Sequence, residues 1–249
     1  MRTRLLHGLF VVVAVNVSFV GLAAEPTPAK GVGDVAATPR ADASLTPATV
    51  EEKLTRLTAL CQKNQRKEVV EEFGDEDIVG WLNAFEDKKQ GTSKVVNGLN
   101  LRATSFNAVG DRERARQDWE DAAKLSPSSA HMWSSLGNVY RRMGDDKKAL
   151  DAYNKAFDCY RAAHTGKSYN HVSISVTLET ASVLMNQTKY SEALDVLKRY
   201  DDEDIPKMST YWACRMLRAY GQVYLATGRE EEAMTKFKTA LQLENKKGE

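Results

Sequence analysis

The sequence predicts an all-α protein, and three observations carry that expectation. From Thr46 onward, apolar residues recur at three- and four-residue spacings, as one face of a helix requires. Two-residue alternation, the mark of a half-buried strand, is confined to the brief run 172–176. Finally, Phe106, Gly110, Ala115, Trp119 and Ala122 recur as Tyr140, Gly144, Ala149, Tyr153 and Ala156, each pair 34 positions apart.

The chain opens with Arg2 and Arg4 before an apolar run from Leu5 to Val20, followed by Gly21, Ala23 and Ala24. This is the order of a secretory signal peptide, residues 1–23. Small residues at Gly21 and Ala23 favour cleavage after Ala23, whereas cleavage after Ala24 would place bulky Leu22 three positions back. An uncleaved anchor is the alternative, because the run approaches the roughly 17–25 residues that span a bilayer. Either way the remainder is expected outside the cytoplasm, in the periplasm or on the surface of a bacterium. Residues 24–45 are Pro, Ala, Thr and Gly with almost no large apolar side chain, so burial cannot offset their ordering entropy and a flexible tether is expected. Gly31 and Gly33 within it follow no strand pattern, which argues against a phosphate-cradling loop.

Order is expected from Thr46, a cap followed by Pro47 in the first turn, with Thr49 and Glu52 at capping-box spacing. Residues 46–95 are expected to form a helical N-terminal cap. Leu57, Leu60, Asn64, Val69 and Phe73 suit a decayed repeat, and Ile78, Trp81, Leu82 and Phe85 an additional helix.

Beyond the cap, the 34-residue recurrence resembles the tetratricopeptide repeat family. In the unit 130–163, Trp133, Leu136, Gly137, Tyr140, Gly144, Ala149, Tyr153 and Ala156 stand where that family places its large, small and aromatic residues. The unit 96–129 carries Leu99, Ala103, Phe106, Gly110, Ala115, Trp119, Ala122 and Pro127, with Arg102 in a place usually given to Leu. The unit 214–249 carries Leu217, Gly221, Tyr224, Gly228, Ala233, Phe237 and Ala240. A degenerate unit, 174–207, keeps Ala181, Leu184, Ala193 and Leu197 but replaces the turn glycine with Thr188. Two insertions interrupt the series. One, 164–173, is expected to be helical; the other, 208–213, follows the acidic run Asp201 to Asp204 and Pro206.

The resemblance implies antiparallel helix pairs stacked as a right-handed α-solenoid. Small residues such as Gly137 and Gly221, with Ala149 and Ala233, would let the two helices approach closely. Gly110, Gly144 and Gly228 would turn the chain in a left-handed conformation. It also implies a concave groove lined by the first helix of each unit and receiving an extended or helical peptide. Applied to this sequence, the family positions give Asn97, Asn100, Thr104 and Asn107, then His131, Ser134, Ser135, Asn138, Arg141 and Arg142, then Glu179, Ser182, Asn186, Arg215, Arg218 and Gln222. Amides can donate to and accept from a peptide backbone and arginine can grip a carboxylate, so an acidic segment or a free C-terminus suits this groove. The carboxylate clamp of chaperone-binding members is absent: its places carry Asn100, Thr104, Ser135, Ser175 and Glu179.

With 35 basic and 34 acidic residues, a net charge of +1 gives no broad field for nucleic acid, which is not an expected partner. The histidines outside the export signal, His131, His164 and His171, form no HExxH, and no glycine-framed serine nucleophile occurs. Cys61, Cys159 and Cys214 lack metal-ligand spacing and suit packing positions, although in an oxidising compartment two of them could pair. Asp111, Asp145, Asp146 and Glu230 to Glu232 follow the turn glycines, where carboxylates stabilise helix starts. No metal, cofactor or catalytic residue is expected. The function expected is an exported scaffold that binds a protein or peptide in assembly or regulation of a cell-envelope complex. Self-association through the thinly capped last unit is the alternative, and an enzyme supported by the repeats a remote one.

Overall fold

The structure, a computed structural model, describes residues 45–164 and 169–245. The expected signal peptide, and the expected tether up to residue 44, lie outside the described residues. Ten α-helices and no strand occur among the described residues: α1 (Pro47–Gln62), α2 (Arg66–Phe73), α3 (Lys88–Val109), α4 (Arg112–Leu125), α5 (Ala130–Met143), α6 (Asp146–Ala163), α7 (His171–Asn186), α8 (Tyr190–Leu197), α9 (Thr210–Ala226) and α10 (Glu230–Asn245). They pack as five successive pairs, and the second helix of each pair except the last also packs on the first helix of the next. This is a helical solenoid.

One turn is used five times. Asn64, Gly110, Gly144, Thr188 and Gly228 adopt φ of 57°, 93°, 83°, 60° and 74°. In each case the next residue donates its N–H to the carbonyl five positions back: Gln65 to Leu60, Asp111 to Phe106, Asp145 to Tyr140, Lys189 to Leu184 and Arg229 to Tyr224, all at 2.9–3.0 Å. These bonds satisfy carbonyls that the helix end would otherwise leave unpaired. Glycine enters this conformation without strain; a β-branched residue does not, and Thr188 carries a penalty of about 1–2 kcal/mol. The turn survives there because its hydrogen bonds are unchanged, and the Thr188 hydroxyl adds one to the Gln187 carbonyl at 2.6 Å.

Helix starts follow the carboxylates and hydroxyls. Asp111 and Asp145 accept from the N–H of Arg114 (3.1 Å) and Lys148 (3.0 Å). At α1 the capping box joins Thr46 to Thr49, rather than Thr49 to Glu52 as the spacing suggested. The helix expected over Ile78, Trp81, Leu82 and Phe85 is instead a short 3-10 turn, Gly80–Ala84. Asp77 accepts from the Gly80 N–H, Phe85 is extended, and Asp87 caps Lys89 and Gln90 at the start of α3, so the apolar stretch between them does not continue as an α-helix. Ile78, Trp81 and Phe85 nevertheless reach the core. Of the insertion 164–173 expected to be helical, His164, Tyr169 and Asn170 lie outside helices, His171 opens α7, and 165–168 lie outside the described residues. Within the acidic run, Asp204 is buried and accepts from the Tyr169 hydroxyl at 2.8 Å, so it holds the loop onto the stack.

The core is built around glycine as well as apolar bulk. A Cβ at Gly137 would lie 2.5 Å from the Tyr153 ring, and one at Gly221 would lie 2.5 Å from the Phe237 ring. These glycines therefore seat an aromatic ring of the paired helix, a different use from the close backbone approach expected. α7 serves two apolar clusters: Val176 and Val183 face the first, and Ile174, Leu178, Ala181 and Leu184 the second. Its buried hydroxyls, Thr177 and Thr180, bond back to the carbonyls of Ser173 and Val176. Cys61 and Cys214 are buried and Cys159 is half-buried.

Arg102 fills its unusual place with a closed ion pair. Its Nε and Nη2 donate to the two carboxylate oxygens of Asp118 at 2.9 and 2.8 Å, and Nη1 donates to the carbonyls of Phe73 (2.9 Å) and Glu76 (2.5 Å). The cap is thereby tied to the first full pair. Past α10, whose packing partner is α9, Leu225, Met234 and Leu241 stay exposed.

Candidate peptide-binding face

The sixteen expected groove residues fall on four helices at helical spacing: Asn97 to Asn107 on α3, His131 to Arg142 on α5, Glu179 to Asn186 on α7 and Arg215 to Gln222 on α9. All are exposed or half-buried. The opposite side of the same helices is core, for example Leu99 and Phe106, Leu136 and Val139, Val183, and Met216 and Val223. This division follows from the helical period, which places residues three or four apart on one face.

Side chains on these stripes meet across the helices. Arg142 Nη1 on α5 donates to Asn107 Oδ1 on α3 at 3.3 Å. Glu179 on α7 lies between two guanidinium groups, with Arg141 Nε of α5 at 3.4 Å and Arg215 Nη2 of α9 at 3.6 Å. Four first helices thus present one laterally connected polar strip. Two of its amides are also held from behind by the second helix of their own pair: Asn100 Oδ1 accepts from the Trp119 indole (3.1 Å), and Asn138 Oδ1 from the Tyr153 hydroxyl (2.8 Å). Burial pushes that phenol up to about 12, so it remains a donor at neutral pH. Each amide accepts through its oxygen and keeps its NH2 donors for a ligand.

The expected residues are not equally committed. Arg218 is engaged by Glu244 of α10 at 2.6 and 2.7 Å. Asn97, Ser134, Ser135, Ser182, Asn186 and Gln222 make no side-chain hydrogen bond among the described residues. His131 is held below the usual imidazole range, first by desolvation and then by neighbouring His171. Tyr211, which is not among the expected residues, lies four positions before Arg215 on the same stripe of α9 and is 58% exposed. It meets Trp212 edge-on at 4.9 Å, and the Arg215 guanidinium lies 5.8 and 5.2 Å from the two ring centres. Extending the stripe one helical turn toward its N-terminus includes it.

Two clefts of about 240 Å³ lie elsewhere, one around Arg102, Arg114 and Asp118 and one around Trp133, Tyr140 and Lys155. Among the described residues no cluster of three His, Cys, Asp or Glu side chains is placed to hold a metal ion, and no helix is long and apolar enough to cross a membrane.

Comparison with known proteins agrees with the architecture. Tetratricopeptide repeat family models match residues 100–164 and 216–247, so the chain carries tetratricopeptide repeats in both segments. Over 60 residues it is 37% identical to the heat-shock protein cognate (HSC) co-chaperone sgt12 of Aspergillus fumigatus, covering 24% of this chain and 18% of that one. The chain thus spans about a fifth of the curated relative it matches. Among solved structures, the putative kinesin light chain TPR-like repeats of Podosopora anserina align at 15% identity and a TM-score of 0.61, covering 81% of this chain and 97% of that one. BtubC of P. vanneervenii aligns at 14% identity and 0.56, covering 83% and 93%, and MamA at 19% and 0.52, covering 72% and 95%. These likenesses show a common fold, a solenoid of tetratricopeptide-like helix pairs.

Proposed function

We propose that the protein is an exported scaffold that holds an acidic peptide segment or free C-terminus of another protein against the strip formed by α3, α5, α7 and α9. The observation that carries this reading is the lateral connection of the four stripes through Asn107 with Arg142 and Arg141 with Glu179 and Arg215. An extended ligand crossing successive helices would meet amide donors and guanidinium groups at each step, and the arginines suit a carboxylate. Export, with a place in assembly or regulation of a bacterial envelope complex, is supported by Arg2 and Arg4 before the apolar run ending at Val20. The test is affinity capture from the native envelope by the mature chain, with the bound protein identified. Asn138→Ala combined with Arg142→Ala removes an oriented amide and a guanidinium, and is expected to weaken capture roughly thirtyfold while leaving helix content unchanged. Undiminished capture by the folded double variant rejects the face.

A second reading, self-association, is favoured by the end of the stack. Met234, Phe237 and Leu241 share one side of α10, and Leu225, Met234 and Leu241 are 56%, 54% and 58% exposed. The occupant proposed is a second copy meeting α10 to α10. At the other end α1 presents Glu51, Glu52, Thr55 and Arg56, which does not complement an apolar ridge. Light scattering is expected to show a dimer that Met234→Glu with Leu241→Glu converts to monomer. A strict monomer of the unsubstituted chain at high concentration excludes this reading.

A further inference from the structure

Glu179 is the acidic residue among the sixteen groove positions, and its placement points to a role that rests on the peptide-binding reading above. Its carboxylate is approached by two arginines from helices on either side, yet neither contact is close. The separations of 3.4 and 3.6 Å exceed the ~2.7–2.9 Å of a charge-assisted hydrogen bond. Arg141 Nε is buried and makes no hydrogen bond. Arg102 and Asp118 show what a committed pair looks like in the same fold: two parallel bonds at 2.8 and 2.9 Å between two buried side chains. Around Glu179, by contrast, two cations share one anion. The trio carries a net positive charge, and its guanidinium groups keep more N–H donors than one carboxylate can use.

We propose that Glu179 is an internal competitor for the ligand's carboxylate: it occupies the two-arginine site in the free protein, and a ligand carboxylate binds by displacing it. Tyr211 extends the site. Its exposed ring stands beside Arg215, giving an apolar surface next to the anion position. The ligand class is therefore a segment that places a carboxylate adjacent to an aromatic side chain. Glu179 sets a threshold, because a weakly acidic segment gains too little from Arg141 and Arg215 to dislodge it.

The probe is a fluorescein-labelled pentapeptide, Gly-Ser-Gly-Phe-Glu with a free C-terminal carboxylate, read by anisotropy against the full chain; its amidated Gly-Ser-Gly-Phe-Gln counterpart is the control. Glu179→Gln is expected to tighten binding of the acidic probe about tenfold and to leave the control unchanged. Arg141→Ala with Arg215→Ala in the Glu179→Gln background should abolish the gain, and Tyr211→Ala should lower affinity for the probe about fivefold. A merely structural tie predicts otherwise: Glu179→Gln would lower the melting temperature and leave binding unchanged or weaker, and that result overturns the proposal. If Glu179→Gln has no effect while Asn138→Ala with Arg142→Ala still weakens the probe, the competitor is excluded and the binding face stands. Absence of probe binding by Glu179→Gln overturns both.

Discussion

Replacing Arg102 with leucine is expected to destabilise the fold by about 3–5 kcal/mol, although leucine is the usual occupant of this repeat position. Arg102 and Asp118 are 8% and 4% exposed, and the arginine spends its donors on both carboxylate oxygens and on the carbonyls of Phe73, which ends α2, and of Glu76 just past it. Leucine would leave the buried carboxylate without its bidentate partner, with only the more distant Arg114 as counter-charge, and would strip the Phe73 and Glu76 carbonyls of their shared donor. Burial pushes the Asp118 carboxyl above its usual range, against the pull of Arg102. A group raised in this way favours folding when protonated. Without the pull of Arg102 that carboxyl rises further, so the variant's deficit should be smallest below the ordinary carboxylate value of about 4 and grow as pH climbs from there through the raised one. Removing both charges, Arg102→Leu with Asp118→Leu, should recover most of the loss but leave about 1–3 kcal/mol for the undonated carbonyls. Urea midpoints at constant slope measure all three chains, and a single-variant loss below 1 kcal/mol would refute the assignment.

Arg102 also marks where sequence reasoning reached its limit. The turn glycines were legible because their cause is local, a left-handed φ, and the recurrent aromatics because they repeat at a fixed period; the seating of a ring opposite a missing Cβ was not. The same logic places Thr188 at a turn, since a turn defined by backbone hydrogen bonds tolerates an unfavourable residue at a cost. Arg102 registered only as a departure from pattern. Its partners Phe73 and Glu76 lie 29 and 26 positions away, beyond any helical spacing. At Gly80–Ala84 the apolar spacing predicts a helix, because spacing alone does not reveal the extended Phe85 or the Asp87 cap that starts α3. On the binding face, each stripe could be read from its own helix. The bridge from Arg141 through Glu179 to Arg215 could not, because it depends on how three helices align.

The coupling between core and face gives the other large effect, at Gly137. Gly137→Val is expected to cost about 3 kcal/mol, at the upper end for an overpacked core. A side chain there would begin 2.5 Å from both Cδ1 and Cε1 of Tyr153, a ring with no exposed surface and no flexible end that could yield. Valine's better helix propensity returns only a few tenths of a kcal/mol. The displaced ring would also draw its hydroxyl from Asn138, so peptide capture should weaken even in the fraction that stays folded. Gly221→Val provides the contrast: its Cβ would meet Phe237 at the same 2.5 Å, but that ring is only half-buried, at the open end of the stack, and can swing away. Its expected cost is about 1 kcal/mol. Tyr153→Leu in the Gly137→Val background should restore stability without restoring capture, because the volume is relieved while the hydroxyl that orients Asn138 is gone. Thermal unfolding and peptide capture measured on the same three chains separate the two effects. Recovery of both together would show that Asn138 does not depend on Tyr153.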